Sequence, residues 1–130
     1  MEKLLAGDHP VLELLRQQYA ASRVAYRDET GVGVFVTFLV PGDARRLPTN
    51  RSFAIRDVSA DVDGLQFGVG FILFVRRGFI HCLEAHLWGD GRWPERIENY
   101  SLYYTKLIGA SVVRATERDW EALTKELEGP

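Results

Sequence analysis

Two strongly apolar segments between Gly68 and Trp88 meet at Arg77 and Gly78, and neither segment has the spacing of an amphipathic helix. This pattern predicts a buried β-hairpin. Side chains on both faces of its first strand, from Val69 to Val75, are apolar, as expected of a strand that is covered on both sides. We therefore place this strand in the middle of a sheet.

The second strand of this hairpin carries the densest set of reactive side chains. Cys82, Glu84 and His86 alternate along it, so a thiol, a carboxylate and an imidazole project from one face, with Cα atoms about 7 Å apart. This spacing permits a shared ligand or a proton relay, which makes the three residues candidates for catalysis. The alternative is that Glu84 and His86 are solvated and Cys82 is a small buried hydrophobe. Strict alternation places Phe79, His81, Leu83, Ala85 and Leu87 on one face, and Ile80, Cys82, Glu84, His86 and Trp88 on the other.

A row of acidic side chains follows one face of a strand predicted over residues 53–62. Asp57, Asp61 and Asp63 alternate with apolar residues there. Like charges in a row raise the local potential, so this stripe is a candidate binding surface for a basic protein. The simpler alternative is a strand with its acids in water and its apolar residues in the core.

A third candidate surface is the loop in which Trp88 and Trp93 flank Arg92. Tryptophan and arginine are enriched at binding hot spots, so these residues predict a contact with a partner. Aromatic residues also pack loops against the sheets of monomeric proteins, and that alternative stays open.

The other segments complete an α+β pattern. Asp8 is a predicted N-cap for a first helix that runs to about Ala21, and Thr116 is predicted to open a last helix. We predict a single antiparallel sheet of about five to seven strands, built from hairpins, with an N-terminal and a C-terminal helix packed on it. Further predicted strands or strand-like runs are 23–27, 32–40, 99–106 and 111–115, and Gly129 with Pro130 is predicted to end the last helix.

Length and composition predict one α+β domain over residues 1–130. The formal net charge of −2 gives no reason to expect nucleic acid or an anionic membrane as a partner. A single cysteine excludes an internal disulfide framework and fits a cytoplasmic location. Motifs for a cofactor, a metal ion, a targeting segment or a membrane span are not found, so none is expected.

Strand and turn signatures recur in five blocks of the sequence: 9–12, 30–33, 68–75, Leu83 with Glu84, and Trp93 with Pro94. These blocks resemble those of a family of small uncharacterised bacterial α+β proteins, over roughly residues 9–95. The resemblance implies a fold and carries over no activity. By analogy with its class, it implies an accessory, immunity or partner-binding protein.

We therefore expect a non-catalytic protein-binding or accessory protein of the immunity type. The competing expectation is a small ligand-binding protein or enzyme with its site around Glu84 and His86, which requires a concavity that covers these groups. A homodimer formed through exposed aromatic residues of the sheet is a third possibility.

Overall fold

The computed structural model describes residues 1–129, which form two helices, one near each end, and seven strands between them. The strands pair antiparallel in one sheet, in the order β1-β2-β5-β4-β3-β6-β7. This architecture confirms the predicted α+β class, and none of its helices is long and apolar enough to cross a membrane. The elements are α1 (Pro10–Ala21), β1 (Arg23–Glu29), β2 (Gly33–Leu39), β3 (Phe53–Val62), β4 (Val69–Arg76), β5 (Phe79–Leu87), β6 (Tyr100–Ile108), β7 (Ser111–Ala115) and α2 (Trp120–Glu128).

The predicted central hairpin is confirmed. β4 is the middle strand of the seven, and Leu73 at its centre is fully buried. Arg77 and Gly78 join β4 to β5 in a turn where both residues have positive φ, at 51° and 85°. Positive φ at both positions gives a two-residue turn the twist of the strands that it connects.

The two faces of the sheet differ in what covers them. On the face that we call the helix face, Leu12 and Leu15 of α1 pack in one cluster with Leu73, Val75 and Ile80. The opposite face carries Gly70, Ile72 and Phe74 of β4, beside His86, Glu84 and Cys82 of β5.

Two bulges correct the strict alternation that the sequence suggested. In β3, Arg56 and Asp57 together oppose the single residue Ile72 of β4, so Ala54 lines the opposite face while Val58 faces the helices. In β5, an extra residue at His81 moves Ile80 to the helix face, where it packs with α1. An unpaired residue changes which face every later side chain occupies, and nothing in the local composition marks either position.

Both helices begin later than predicted. His9 rather than Asp8 is the N-cap of α1, since its Nδ1 accepts a hydrogen bond from the Val11 amide at 3.1 Å. Asp119 rather than Thr116 caps α2 and accepts from the Ala122 amide at 3.1 Å. Residues 116–118 are not helical and lead into α2, and the buried side chain of Arg118 lies in this segment.

The α2 helix lies against the edge of β3 at residues where β6 does not pair. The Glu126 carboxylate accepts a hydrogen bond from the Ala54 amide at 3.1 Å, which satisfies an amide that has no partner strand. Leu123 and Leu127 are buried, as their spacing predicted, and Gly129 is the C-cap. The predicted role of Pro130 lies outside the described residues.

Gln18 fixes α1 to the turn between β4 and β5. Its side chain is 1% exposed and lies among apolar residues. The side-chain carbonyl accepts from the Ile80 amide at 2.9 Å, and the side-chain amide donates to the carbonyls of Gly78 at 2.9 Å and Arg45 at 3.0 Å. These three bonds hold α1 over one end of the helix face.

Candidate functional site

The helix face is wider than one helix can cover. Seven strands span about 29 Å, whereas a helix with its side chains is about 10 to 12 Å across. Leucine, isoleucine and phenylalanine side chains fill the region beneath α1, but valine and alanine dominate a second cluster farther along the same face. Small side chains fill less space, so a cavity remains over this second cluster.

This cavity has a volume of about 340 Å³. We call it the aliphatic trough and define it by the six residues of its floor, Val34, Val58, Ala60, Val62, Val69 and Ala85. Each of the six is at most 6% exposed, and all but Val58 belong to the second cluster, which contains no residue of a helix. Their burial comes from the chain segments that wall the trough.

The N-terminal segment forms one wall of the trough through Met1, Lys3 and Leu4. Two hydrogen bonds from the Arg118 guanidinium hold this segment in place, to the carbonyls of Ala6 at 2.7 Å and Leu4 at 2.6 Å. The Tyr104 hydroxyl adds a third bond, to the Lys3 carbonyl at 3.0 Å. The wall is therefore attached to the sheet by polar contacts to backbone carbonyls.

The loop between β5 and β6 forms another wall of the trough. Trp93 and Ile97 line the cavity, and the Trp93 amide donates to the Gly31 carbonyl at 2.7 Å. Trp93 also packs against the aliphatic cluster of the floor. This hydrogen bond fixes the predicted aromatic loop over the sheet.

The ionisable side chains that line the trough are Lys3, Arg27 and Tyr100, and no carboxylate is among the lining residues that the structure describes. Lys3 is partly buried, and its ammonium lies 4.1 Å from the centre of the Tyr104 ring. Burial raises the pKa of Tyr104 while the nearby Arg118 opposes that rise. The trough thus joins an aliphatic floor to a positive rim.

A second cavity, of about 450 Å³, lies on the opposite face between α2 and the β6–β7 hairpin. We call it the opposite-face cavity. Unlike the trough, it has both acidic and basic residues among its lining, including Asp119 and Lys106. Six of its lining residues are Ala54, Ile72, His86, Trp88, Leu107 and Ala122.

His86 is the predicted site residue with the most unusual surroundings. Its ring lies over Gly70, since a Cβ atom placed there would approach its Nε2 to 2.7 Å. The Nδ1 atom is buried without a hydrogen-bond partner, and the nearest carboxylate oxygen, of Glu84, is 3.9 Å away. The Trp88 ring meets the imidazole edge to face at 4.9 Å. The predicted shared face of Glu84 and His86 is therefore present.

Cys82 lies on the same face but is buried among neighbours rather than open to a cavity. Burial raises the pKa of its thiol above the ordinary value, and a hydrogen bond with the Thr37 side chain opposes that rise. A raised pKa keeps the thiol protonated at neutral pH. This environment is that of a small buried hydrophobe.

The other predicted binding residues are separated in space. Asp57 pairs with Arg118 and Asp61 pairs with Arg114 at 2.9 Å, while Asp63 is exposed just beyond β3. Trp93 lines the trough on the helix face, and Arg92 beside it is exposed.

Trp88 lies on the opposite face, where its indole NH donates to the buried Ser59 hydroxyl at 3.1 Å. The two tryptophans of the predicted aromatic surface therefore belong to different cavities.

Sequence reasoning missed Arg118, Lys3 and Arg27, because their neighbours in space are distant along the chain. Among residues 1–129, no group of three histidine, cysteine or acidic residues is arranged to hold a metal ion. Comparison with protein-family models, curated proteins and solved structures found no match.

Proposed function

We propose that this protein binds a small apolar molecule in the aliphatic trough and does so without catalysis. The observation that carries the proposal is the cavity of about 340 Å³ over a floor of valine and alanine, on the part of the helix face that α1 leaves uncovered. Pockets for small ligands begin at about 300 Å³ and are lined mainly by apolar side chains.

The character of the lining favours binding over chemistry. The basic side chains of the lining are Lys3 and Arg27, and Tyr100 is exposed at the rim. Among the lining residues that the structure describes there is no histidine, cysteine or carboxylate beside Lys3 and Tyr100 to form an acid–base pair. The floor offers contact area and exclusion of water, which drive the binding of an apolar ligand.

A substitution that fills the trough tests the proposal. Ala85 is on the floor, so Ala85→Leu should weaken the binding of decanol at least tenfold while the protein keeps its fold. Ala20→Leu adds the same side chain on the exposed side of α1 and serves as the matched control. Isothermal titration calorimetry is the measurement, and equal affinities for the two variants would contradict the proposal.

The expected protein partner remains a prediction. Two of the three aspartates predicted to bind it form ion pairs within this protein. Arg118 neutralises Asp57 and Arg114 neutralises Asp61, so the acidic stripe offers a partner little free charge. Light scattering would test the expected homodimer. Cell fractionation would test the cytoplasmic location that the single cysteine suggests.

A second candidate function is a ligand or proton-transfer site at Glu84 and His86. It is supported by the unpartnered Nδ1 of His86, 3.9 Å from the Glu84 carboxylate, on a residue that lines the opposite-face cavity. A small movement would let Nδ1 donate to Glu84 and leave Nε2 as a proton acceptor.

Substitutions at Ala85, which lines the trough, and at His86, which lines the opposite-face cavity, distinguish the two candidate sites. A compound that is retained through purification and seen by native mass spectrometry would be lost in Ala85→Leu if it occupies the trough. The same compound would be lost in His86→Ala, and kept in Ala85→Leu, if it occupies the opposite-face cavity.

A further inference from the structure

We infer that the ligand of the aliphatic trough is an amphipathic anion, an alkyl chain with a carboxylate or a similar head group, and that the Lys3 ammonium holds the head. This inference rests on the proposed function, because it assigns a ligand class to the same cavity. Three observations support it: the uncompensated charge of Lys3, the ion pairing of the charges around it, and the length of the floor.

The Lys3 side chain is partly buried, and no carboxylate compensates its charge. Among residues 1–129 its ammonium forms no ion pair, and it lies over the face of the Tyr104 ring at 4.1 Å. An ammonium near apolar surface loses part of its hydration, so a bound anion would stabilise it more than at a fully exposed site.

The charges that surround Lys3 also favour an anion. The Arg118 guanidinium lies 5.1 Å from the centre of the Tyr104 ring, and its charge is compensated by its carboxylate partner Asp57. Glu2 is adjacent in sequence and exposed to water. Lys3 is therefore the side-chain cation of this wall that has no carboxylate partner among the described residues.

Arg27 lies at a different end of the trough from Lys3. It is exposed on the edge strand β1, opposite Val36, and Glu29 lies two residues farther along the same strand. An exposed guanidinium is screened by salt and contributes mainly to the rate of encounter. We therefore assign the head group to Lys3 rather than to Arg27.

The length of the floor accommodates an extended alkyl chain. Its six residues come from four neighbouring strands, from Val34 on β2 to Ala60 on β3. At about 4.8 Å between strands this is a span of about 14 Å. The volume of about 340 Å³ lies at the lower end of the range of small-ligand pockets, which suits a single chain.

Three probes with the same alkyl chain test the inference: decanoate, decanol and decyltrimethylammonium, each titrated at pH 7.5 into protein that carries its purification tag at the C-terminus. The wild type should bind decanoate at least tenfold more tightly than decanol, and the cation most weakly. Lys3→Met keeps the apolar stem but removes the charge, so it should bring decanoate and decanol within about twofold, with decanol affinity unchanged. Lys3→Arg should keep the preference for decanoate.

The control for the loss of one positive charge is Lys125→Met, on the exposed side of α2, which should also keep the preference. Equal binding of decanoate and decanol by the wild type would overturn the inference and leave the proposed function standing. A preference that survives Lys3→Met but is lost in Arg27→Met would overturn the assignment to Lys3. Failure of all three probes to bind would overturn both the inference and the proposed function.

Discussion

Arg118 and Asp57 are joined by two parallel hydrogen bonds, from Nε to Oδ2 at 2.7 Å and from Nη2 to Oδ1 at 2.9 Å. The pair connects the bulge of β3 to the residues that precede α2. The same guanidinium donates to the carbonyls of Leu4 and Ala6, so it also secures the segment that walls the trough. One side chain thus links the sheet, α2 and the candidate site.

Removal of Arg118 should destabilise the fold strongly. Its side chain is 3% exposed, and Arg118→Met leaves the partly buried Asp57 and two backbone carbonyls without their donor. We expect a loss of about 3 to 5 kcal/mol in the free energy of unfolding, measured by urea denaturation. The matched control is Arg114→Met, because the Arg114–Asp61 pair is more than half exposed and should contribute less than about 1 kcal/mol. Similar losses for the two variants would contradict this account.

Replacement of the buried Gln18 should lower the free energy of unfolding, whereas the same replacement at the exposed Gln17 should not. Gln18→Leu leaves the buried Ile80 amide without its acceptor and the Arg45 carbonyl without its donor, at a cost of at least about 2 kcal/mol, while the Gly78 carbonyl keeps its bond from the Leu47 amide. Gln17→Leu, at an exposed position of the same helix, should change stability by less than about 0.5 kcal/mol. Thermal and urea unfolding of both variants would check this, and an unaffected Gln18→Leu would show that α1 is held by apolar packing alone.

A methyl group at Gly70 should disturb the opposite face. The added Cβ would lie 2.7 Å from Nε2 of His86 and 2.8 Å from Cε2 of Trp88, so Gly70→Ala should cost about 1 to 3 kcal/mol. The control Gly42→Ala has no heavy atom within 4 Å of its Cβ and should be nearly neutral. If the contact with His86 is responsible, His86→Ala should recover part of the loss in the double variant. Additive effects of the two substitutions would exclude that cause.

The central hairpin was predictable because its signal is local. Apolar residues on both faces of β4 require a covered strand, and Arg77 with Gly78 marks the turn. The face shared by Cys82, Glu84 and His86 followed from alternation alone, because the bulge at His81 comes before all three.

The trough was not predictable, because it depends on contacts between distant residues. Arg118 meets Asp57 across 61 positions of sequence, and Tyr104 meets the Lys3 carbonyl across 101. A row of valines and alanines is typical of any buried strand. Only the position of α1 over Leu73, rather than over Val69, shows which part of the floor stays open.

The Cys82 thiol should be slow to react and should affect stability only at high pH. Because burial raises its pKa above the ordinary value of about 9, the folded protein retains a proton that the unfolded chain releases. The stability from this group is complete below pH 9 and is lost as the pH rises through the folded pKa. Alkylation by iodoacetamide at pH 8 should be slower in the native protein than in urea, and equal rates would contradict the burial of the thiol.

The most direct test of the central claim is to observe alanine methyl groups by NMR while decanol is added to the protein. Ala60 and Ala85 lie on the floor of the trough, whereas Ala54 and Ala122 line the opposite-face cavity. The account predicts saturable shifts of the Ala60 and Ala85 methyl signals, with Ala54 and Ala122 unmoved. Shifts confined to Ala54 and Ala122, or no shifts at all, would contradict it.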